Sequence, residues 1–322
     1  MDSGFLRNEC TGEVVYENVE RKSLLQSLAN SSYKSDDGNP CGLTLLGPRR
    51  SGKTSLLMDA AYNCCASSPN GRAIFIMPEH KKSQLDFPMR CHQWERNTDE
   101  IIPITNDVTS TIGNQFSSWS RDEEEVLSRI DVHYVKDVKE LIQLLALLQC
   151  HYGNENDGEL RAVVVDDLDF YVKDDIHYSS AEKRASARTT EIISLMHLLA
   201  LMNDAANFFH EVCNHSTLKN IHIYTAINSD RLSISAIDYS LLKKYTPIIA
   251  EIDQDKQNGD SGIQTDFQIW GSGDKAFDIH TSFSISIRNQ QDKSKQHVNY
   301  IIGSSPSGWE EDEEHFLFWQ ST

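Results

Sequence analysis

The sequence predicts an α/β fold whose earlier part is a mainly parallel sheet and whose later part is β-rich, and three observations carry that prediction. From Gly42 to Asn228, short apolar runs alternate with stretches of helical spacing. One run, Ala162-Val163-Val164-Val165, is apolar without interruption, as suits a central parallel strand covered on both faces. Beyond Asn228 the helical stretches give way to short strand-like segments broken by Gly, Asp and Ser.

Residues 1–41 are mostly polar, with one amphipathic helix predicted around Val19 to Leu28, and end in the loop Ser35-Asp36-Asp37-Gly38-Asn39-Pro40. They read as an extension and linker. Gly42 to Leu46 is a short buried strand, a glycine-containing loop follows, and Lys53 to Cys64 has helical spacing. Ala73 to Met77 is a second strand, stopped by Pro78. Residues 97–125 are polar, lack periodicity and close on Asp122-Glu123-Glu124-Glu125, so they are expected to be a surface insertion without core.

Val132 to Val135 is a third strand, and Asp137 with Glu140 forms an aspartate-led capping box for the helix Val138 to Cys150. After Ala162 to Val165, a polar loop from Lys173 to Arg188 leads into a helix carrying Ile192, Leu195, Met196, Leu199 and Met202. Ile221 to Ile227 is the fifth strand. The later strands are expected at Ile248 to Ile252, Phe267 to Trp270, Phe283 to Ile287, His297 to Ile302 and Phe316 to Trp319. The domain reading is therefore 1–41 extension and linker, 42–228 core, and 229–322 β-rich end of the same domain.

Composition narrows the function classes. The 30 Lys and Arg against 48 Asp and Glu give a net charge of -18, which disfavours an unassisted grip on DNA phosphates. No apolar stretch reaches the ~18 residues of a membrane span, and the start MDSGFLRNEC has no signal-peptide core, so no membrane association is expected. Seven cysteines without a C-x-x-C pair argue against a disulfide framework and a zinc ribbon and suggest reduced thiols in cytosol or nucleus. His210, Cys213 and His215 lie close together, but core or surface roles are favoured over metal because no matching pair is suitably spaced.

The strongest chemical signal is Gly47-Pro48-Arg49-Arg50-Ser51-Gly52-Lys53-Thr54, a complete G-x-x-x-x-G-K-[ST] P-loop between a predicted strand and a predicted helix. Its glycines let backbone N–H groups face phosphates, Lys53 neutralises terminal phosphate charge, and the Thr54 hydroxyl suits magnesium. Gly47 to Ser55 is thus the expected ATP site. Only the backbone amides of Arg49 and Arg50 are needed there, and their side chains are either solvated or turned to phosphate or a partner.

Asp166, at the end of the most apolar strand, makes a Walker B pattern whose carboxylate is expected to hold magnesium through water. Asp167 is the fallback if the register slips by one; otherwise Asp167 and Asp169 read as turn or surface carboxylates. Two candidate strands and a helix lie between Lys53 and Asp166, the layout of nucleotide hydrolases that insert a strand between the Walker A and Walker B strands. Such enzymes place a Glu near the attacking water, and Glu79, directly after the second strand, is either that catalytic group or a solvated loop residue. Asn228, at the tip of the fifth strand, is either a phosphate sensor or a turn former with Ser229 and Asp230.

The segment Arg72-Ala73-Ile74-Phe75-Ile76-Met77-Pro78-Glu79 resembles the second core strand and catalytic glutamate of RecA-like recombinases. Asp166 after Val163-Val164-Val165, the long helix that follows, and Ile221 to Asn228 fit the same core, so the resemblance covers 42–228 and implies a RecA-like P-loop core without an N-terminal DNA-binding domain. Leu241-Leu242-Lys243-Lys244-Tyr245 before a strand and an aromatic tail are more narrowly similar to the recombinase-paralogue ATPase subunit that accompanies the SWIM-type zinc-finger protein in the animal Shu complex.

That resemblance implies ATP and Mg2+ as cofactors, ATP hydrolysis, and a role in homologous recombination repair in the nucleus, alongside a cytosolic pool. It also implies a SWIM-type zinc-finger partner, a strand-exchange recombinase and single-stranded DNA bound through the complex. The C-x-C and C-x-H pattern of the SWIM protein is absent, as expected if zinc belongs to the partner. A polymerisation motif is not recognisable. The loop Lys173 to Arg188 falls where recombinases carry a DNA-binding loop, with Lys173, Lys183, Arg184 and Arg188 as DNA-contact candidates diluted by Asp174, Asp175 and Glu182. A small-molecule P-loop kinase, with this loop as its lid, and a nucleotide-bound scaffold with negligible turnover are the alternatives.

Overall fold

Strands that are apolar on successive residues need cover on both faces, and the architecture supplies it. The computed structural model describes residue 25 and residues 41–83, 90–94, 121–152, 159–172, 181–212, 221–229, 236–254, 278–288, 295–304 and 315–320. Its strands are β1 (Cys41–Gly47), β2 (Gly71–Pro78), β3 (Arg90–Trp94), β4 (Ile130–Val135), β5 (Glu159–Val165), β6 (His222–Asn228), β7 (Ile248–Gln254), β8 (Asp278–Arg288), β9 (Lys295–Ser304) and β10 (His315–Gln320). They form one sheet in the order β3-β10-β9-β8-β7-β1-β6-β5-β2-β4. From β4 to β7 every pairing is parallel. Strands β8, β9 and β10 follow antiparallel, and β3 joins the far edge parallel to β10.

The helices are α1 (Lys53–Ala66), α2 (Arg121–Leu127), α3 (Val138–Tyr152), α4 (Ala181–Val212) and α5 (Ala236–Leu242). Alternation along the strands sorts the core into two layers. Leu43 and Leu45 of β1, Ala73 and Phe75 of β2, Ala162 and Val164 of β5 and Tyr224 and Ala226 of β6 pack with Leu56, Leu57, Ala60 and Ala61 of α1. Ile74 and Ile76, Val163 and Val165, and Ile223 and Ile227 face the other way, onto Leu141, Leu145 and Leu148 of α3 and Leu195, Leu199 and Met202 of α4. Each large side chain removed from water contributes ~1.5–3 kcal/mol, so this double cover is what holds the parallel strands.

Helix ends follow from local chemistry. Asp137 Oδ1 accepts the N–H groups of Lys139 (2.9 Å) and Glu140 (3.0 Å) at the start of α3, while Glu140 reaches back to the N–H of Lys136 (2.7 Å), one residue before the capping aspartate. Just past the end of α1 the Arg129 guanidinium donates to the carbonyls of Cys65, Ser68 and Pro69, tying down the turn that leaves the helix.

Several expectations need correction. The polar loop to Arg188 ends sooner: α4 already begins at Ala181, so Lys183, Arg184 and Arg188 belong to its opening turns. The charged residues there are good helix formers, and the apolar spacing that marks the helix in sequence starts only where it meets the core. Residues 121–125 of the expected insertion lie in α2, with Glu124 and Glu125 exposed, and the Val126 and Leu127 that follow pack against the α1 layer; residues 97–120 lie outside the described residues. Within the extension, residue 25 is helical, inside the expected helix Val19 to Leu28, and Leu25 is fully buried in that same layer. Strand β3 carries the polar sequence Arg90-Cys91-His92-Gln93-Trp94, which apolar patterning does not detect. The expected strand Phe267 to Trp270 and the loop Ser35 to Pro40 lie outside the described residues.

Candidate nucleotide site

The P-loop leaves β1 at Gly47 and enters α1 at Lys53. Gly47 is required by close approach, because a Cβ there would lie 2.7 Å from Ile252 Cβ of β7. Gly52 caps α1 at φ 73°, in the left-handed region that a residue without Cβ enters freely, and no side chain caps the helix. The first N–H groups of α1 are therefore left to face an anion. Arg50 also has a positive φ, 60°, so the loop is bent twice in this sense.

Ser51 is buried and donates through Oγ to the Pro48 carbonyl at 2.9 Å. Tyr300 of β9, also fully buried, donates its hydroxyl to the Ser51 carbonyl at 2.6 Å. Lys53 is only 5% exposed and folds back on the loop, donating to the carbonyls of Gly47 (3.1 Å) and Pro48 and to Ser51 Oγ (3.3 Å). Burial lowers the pKa of its ammonium, and the nearby Asp167 and Asp166 carboxylates oppose that fall without cancelling it. Arg49 and Arg50 have exposed side chains.

Thr54 follows in the first turn of α1 and donates through Oγ1 to Asp166 Oδ2 at 2.7 Å. Asp166 is fully buried at the end of β5; its Oδ1 accepts the N–H of Asp167 at 3.0 Å, and its own N–H donates to the Ile76 carbonyl of β2 at 2.9 Å. The two expected magnesium residues are thus brought together, although they are separated by 112 positions. In the sheet, β6 stands between β1 and β5.

Asp167 and Asp169 are not surface carboxylates. Asp167 takes the left-handed conformation (φ 47°, ψ 50°), which aspartate tolerates better than most residues, and opens a short 3-10 turn over Leu168–Tyr171. Asp169 Oδ1 accepts the backbone N–H of Asn228 at 2.9 Å, and the Asn228 amide nitrogen donates to Asp167 Oδ1 (2.9 Å) and Asp169 (3.2 Å). The corner after β5 is thereby tied to the tip of β6. The Asn228 amide is committed to these carboxylates, a role that a turn reading of Asn228-Ser229-Asp230 does not foresee.

Sequence reasoning missed Lys81. It lies on the 3-10 turn Glu79–Ser83 after β2, and its ammonium is 2.7 Å from Asp166 Oδ2, 2.8 Å from Asp167 Oδ2 and 3.3 Å from Thr54 Oγ1. Burial works against its charge, but Asp166 and Asp167 outweigh it and raise the Lys81 pKa. For Asp167, burial pushes the carboxyl up, while Lys81, Asn228 and Lys53 together hold it below its ordinary range. Tyr171, buried with no hydrogen-bond partner for its hydroxyl among the described residues, is pushed upward by burial and then by Asp166, Asp167 and Glu140. The sequence signal for Lys81 was its place two residues after Glu79, just beyond the second strand, which the sheet sets next to β5.

Glu79 opens the same turn with an exposed side chain. Of the DNA-contact candidates, Lys173 lies outside the described residues, and Lys183, Arg184 and Arg188 are placed on α4 as backbone only. Cys213 and His215 also lie outside the described residues, and His210 falls near the end of α4. No helix among the described residues is long and apolar enough to cross a membrane.

Magnesium fits the donor set on chemical grounds. The Thr54 hydroxyl and Asp166 carboxylate are hard oxygen donors of the kind magnesium takes, a pair that would need phosphate and water to complete an octahedron. No protein-family model matches this chain, and comparison with curated proteins finds no match.

Proposed function

We propose that the chain is an ATP-binding, ATP-hydrolysing protein with a RecA-like core, whose β-rich end over 229–322 belongs to the same domain. The observation that carries the reading is the meeting of the Gly47–Thr54 loop with Asp166 across β6: a bent, glycine-opened loop, an uncapped helix start, a buried lysine and a hydroxyl–carboxylate pair. In this reading the open amides of α1 and the Lys53 ammonium bind the phosphates, for which Lys53 exchanges its bonds to the loop carbonyls. Thr54 and Asp166 hold magnesium, which when bound supplies positive charge against the phosphate oxygens. Glu79, exposed beside the site, orients water as general base.

By the resemblance noted above, this ATPase serves homologous recombination repair in the nucleus with a SWIM-type zinc-finger partner. That assignment also proposes the strand-exchange recombinase and single-stranded DNA as further partners. The net charge of -18 supports a role for a basic partner in holding DNA. A nucleotide-bound scaffold with negligible turnover is the second reading, favoured by the engagement of Asp166 and Thr54 with Lys81.

The decisive experiment is calorimetric titration of ATP with magnesium into the wild type and Lys53→Ala. Loss of a charge-assisted phosphate contact costs ~1.5–3 kcal/mol, a weakening of roughly 10- to 150-fold. Equal affinity in both proteins would overturn the nucleotide assignment.

A further inference from the structure

The P-loop reading accounts for Lys53, Thr54 and Asp166 but gives no part to Lys81. An ammonium has three N–H donors, and those of Lys81 are directed at three oxygens: Asp166 Oδ2, Asp167 Oδ2 and Thr54 Oγ1. Two of these oxygens belong to the residues that would hold magnesium. The Asp166 oxygen that meets Lys81 is also the one that accepts the Thr54 hydroxyl proton, so the cationic head stands at the junction of the two ligands.

Electrostatics explains why a cation is held there. Asp166, Asp167 and Asp169 are each at most 9% exposed, and the fields of Lys53 and Lys81 reach this cluster. Buried like charges repel strongly in a medium of low polarity, so without Lys81 the corner sets three carboxylates against Lys53 alone. A divalent ion is the other species that would relieve the same repulsion. Magnesium needs oxygens at about 2.0–2.1 Å in near-octahedral array, and an ammonium 3.3 Å from Thr54 Oγ1 and 2.7 Å from Asp166 Oδ2 takes the place of the ion and of the water through which Asp166 would hold it. Lysine and metal therefore exclude one another.

We propose that Lys81 is a tethered counter-cation that holds the magnesium position in the nucleotide-free chain, and that metal enters only by exchanging with it. The proposal rests on the nucleotide reading for its purpose, but its core is a competition between two cations for Asp166 and Thr54. The exchange has a route. Lys81 reaches in from a short turn in which Glu79, His80 and Lys82 are exposed, and its own side chain is 17% exposed, so it can swing to solvent without opening the core.

The test uses the full chain and two substitutions, Lys81→Met, which keeps the stem and removes the charge, and Lys81→Gln. Thermal melting is followed with magnesium alone across the millimolar range, without nucleotide. The wild type is expected to be indifferent to the ion, whereas both variants gain a saturable stabilisation that disappears when Asp166→Asn is added. In parallel, the magnesium concentration for half-maximal binding of a fluorescent ATP analogue should fall ~10-fold or more in the variants, the scale of one lost charge-assisted hydrogen bond. Should Lys81→Met melt too low to assay, Lys81→Met with Asp167→Asn restores the charge balance while leaving Asp166 and Thr54 for the metal, and the same fall in midpoint is expected.

Identical magnesium responses in wild type and variants, with or without analogue, would overturn the proposal. The two readings fail separately. An analogue that binds neither wild type nor Lys53→Ala refutes the nucleotide site, while the melting experiment with metal alone still decides whether Lys81 competes for it.

Discussion

His222 makes the acid limb of stability calculable. It opens β6, pairs with Cys41 of β1 and Ala162 of β5, and stacks on Tyr224 with ring centroids 5.8 Å apart and planes 7° from parallel. Its Nδ1 is buried without a hydrogen-bond partner among the described residues. Burial, and then the Arg161 guanidinium beside it, lowers its pKa from 6.5 to about 4. Because the folded value lies below the unfolded one, the unfolded chain binds the extra proton between these limits. The stability that neutral His222 allows is therefore complete above about pH 6.5 and is lost as pH falls toward 4.

At ~1.36 kcal/mol per pH unit the ceiling of that loss is about 3.4 kcal/mol, and partial exposure of the ring brings the expectation to about 2–3 kcal/mol. His222→Phe preserves the stack and removes the titration. Urea melts of both proteins at steps from pH 7 to 4 isolate the term, since the acid response of the carboxylates is shared. The difference between variant and wild type should grow in favour of the variant as pH falls. A difference that stays constant over this range would refute the account of His222 as a desolvated, neutral side chain.

Other outcomes follow from the site. Gly47→Ala should destabilise by ~1–3 kcal/mol and weaken ATP binding, because the new Cβ meets Ile252 Cβ at 2.7 Å; urea melts and calorimetry check both. Tyr300→Phe keeps the ring stacked on Phe283 and removes one buried donor to Ser51, so a loss of ~1 kcal/mol is expected in the same melts, and an unchanged midpoint would sever β9 from the P-loop. Glu79→Gln should keep ATP affinity and slow hydrolysis ~100-fold or more in a phosphate-release assay; unchanged hydrolysis returns Glu79 to the solvent. Single-stranded DNA affinity, read by fluorescence anisotropy across a salt series, should rise ~10-fold or more when a SWIM-type partner is added and fall on charge reversal at Lys183 and Arg184. No partner-dependent binding would remove the recombination assignment.

The sequence by itself determined what depends on neighbours along the chain. The P-loop is legible because phosphate binding needs glycine, lysine and hydroxyl at fixed steps in one loop, and the strands β1, β2, β5 and β6 because cover on both faces demands mostly apolar runs, unbroken in β2 and β5 and interrupted by a single threonine in β1 and β6. Asp166 is legible as the acid ending the most apolar of them. What depends on residues far apart in sequence was decided only by the tertiary structure. Lys81 reaches Asp166 across 85 positions, Tyr300 reaches Ser51 across 249, and no local pattern records either distance. Asp167 and Asp169 read as turn or surface carboxylates, and they do form a turn, yet it is a buried one: Asn228 and Lys81 arrive from β6 and the turn after β2 to supply the hydrogen bonds and charge that make their burial tolerable. The start of α4 escaped for the complementary reason: its first turns lack the apolar spacing by which a helix announces itself, and only the folded chain extends it back to Ala181.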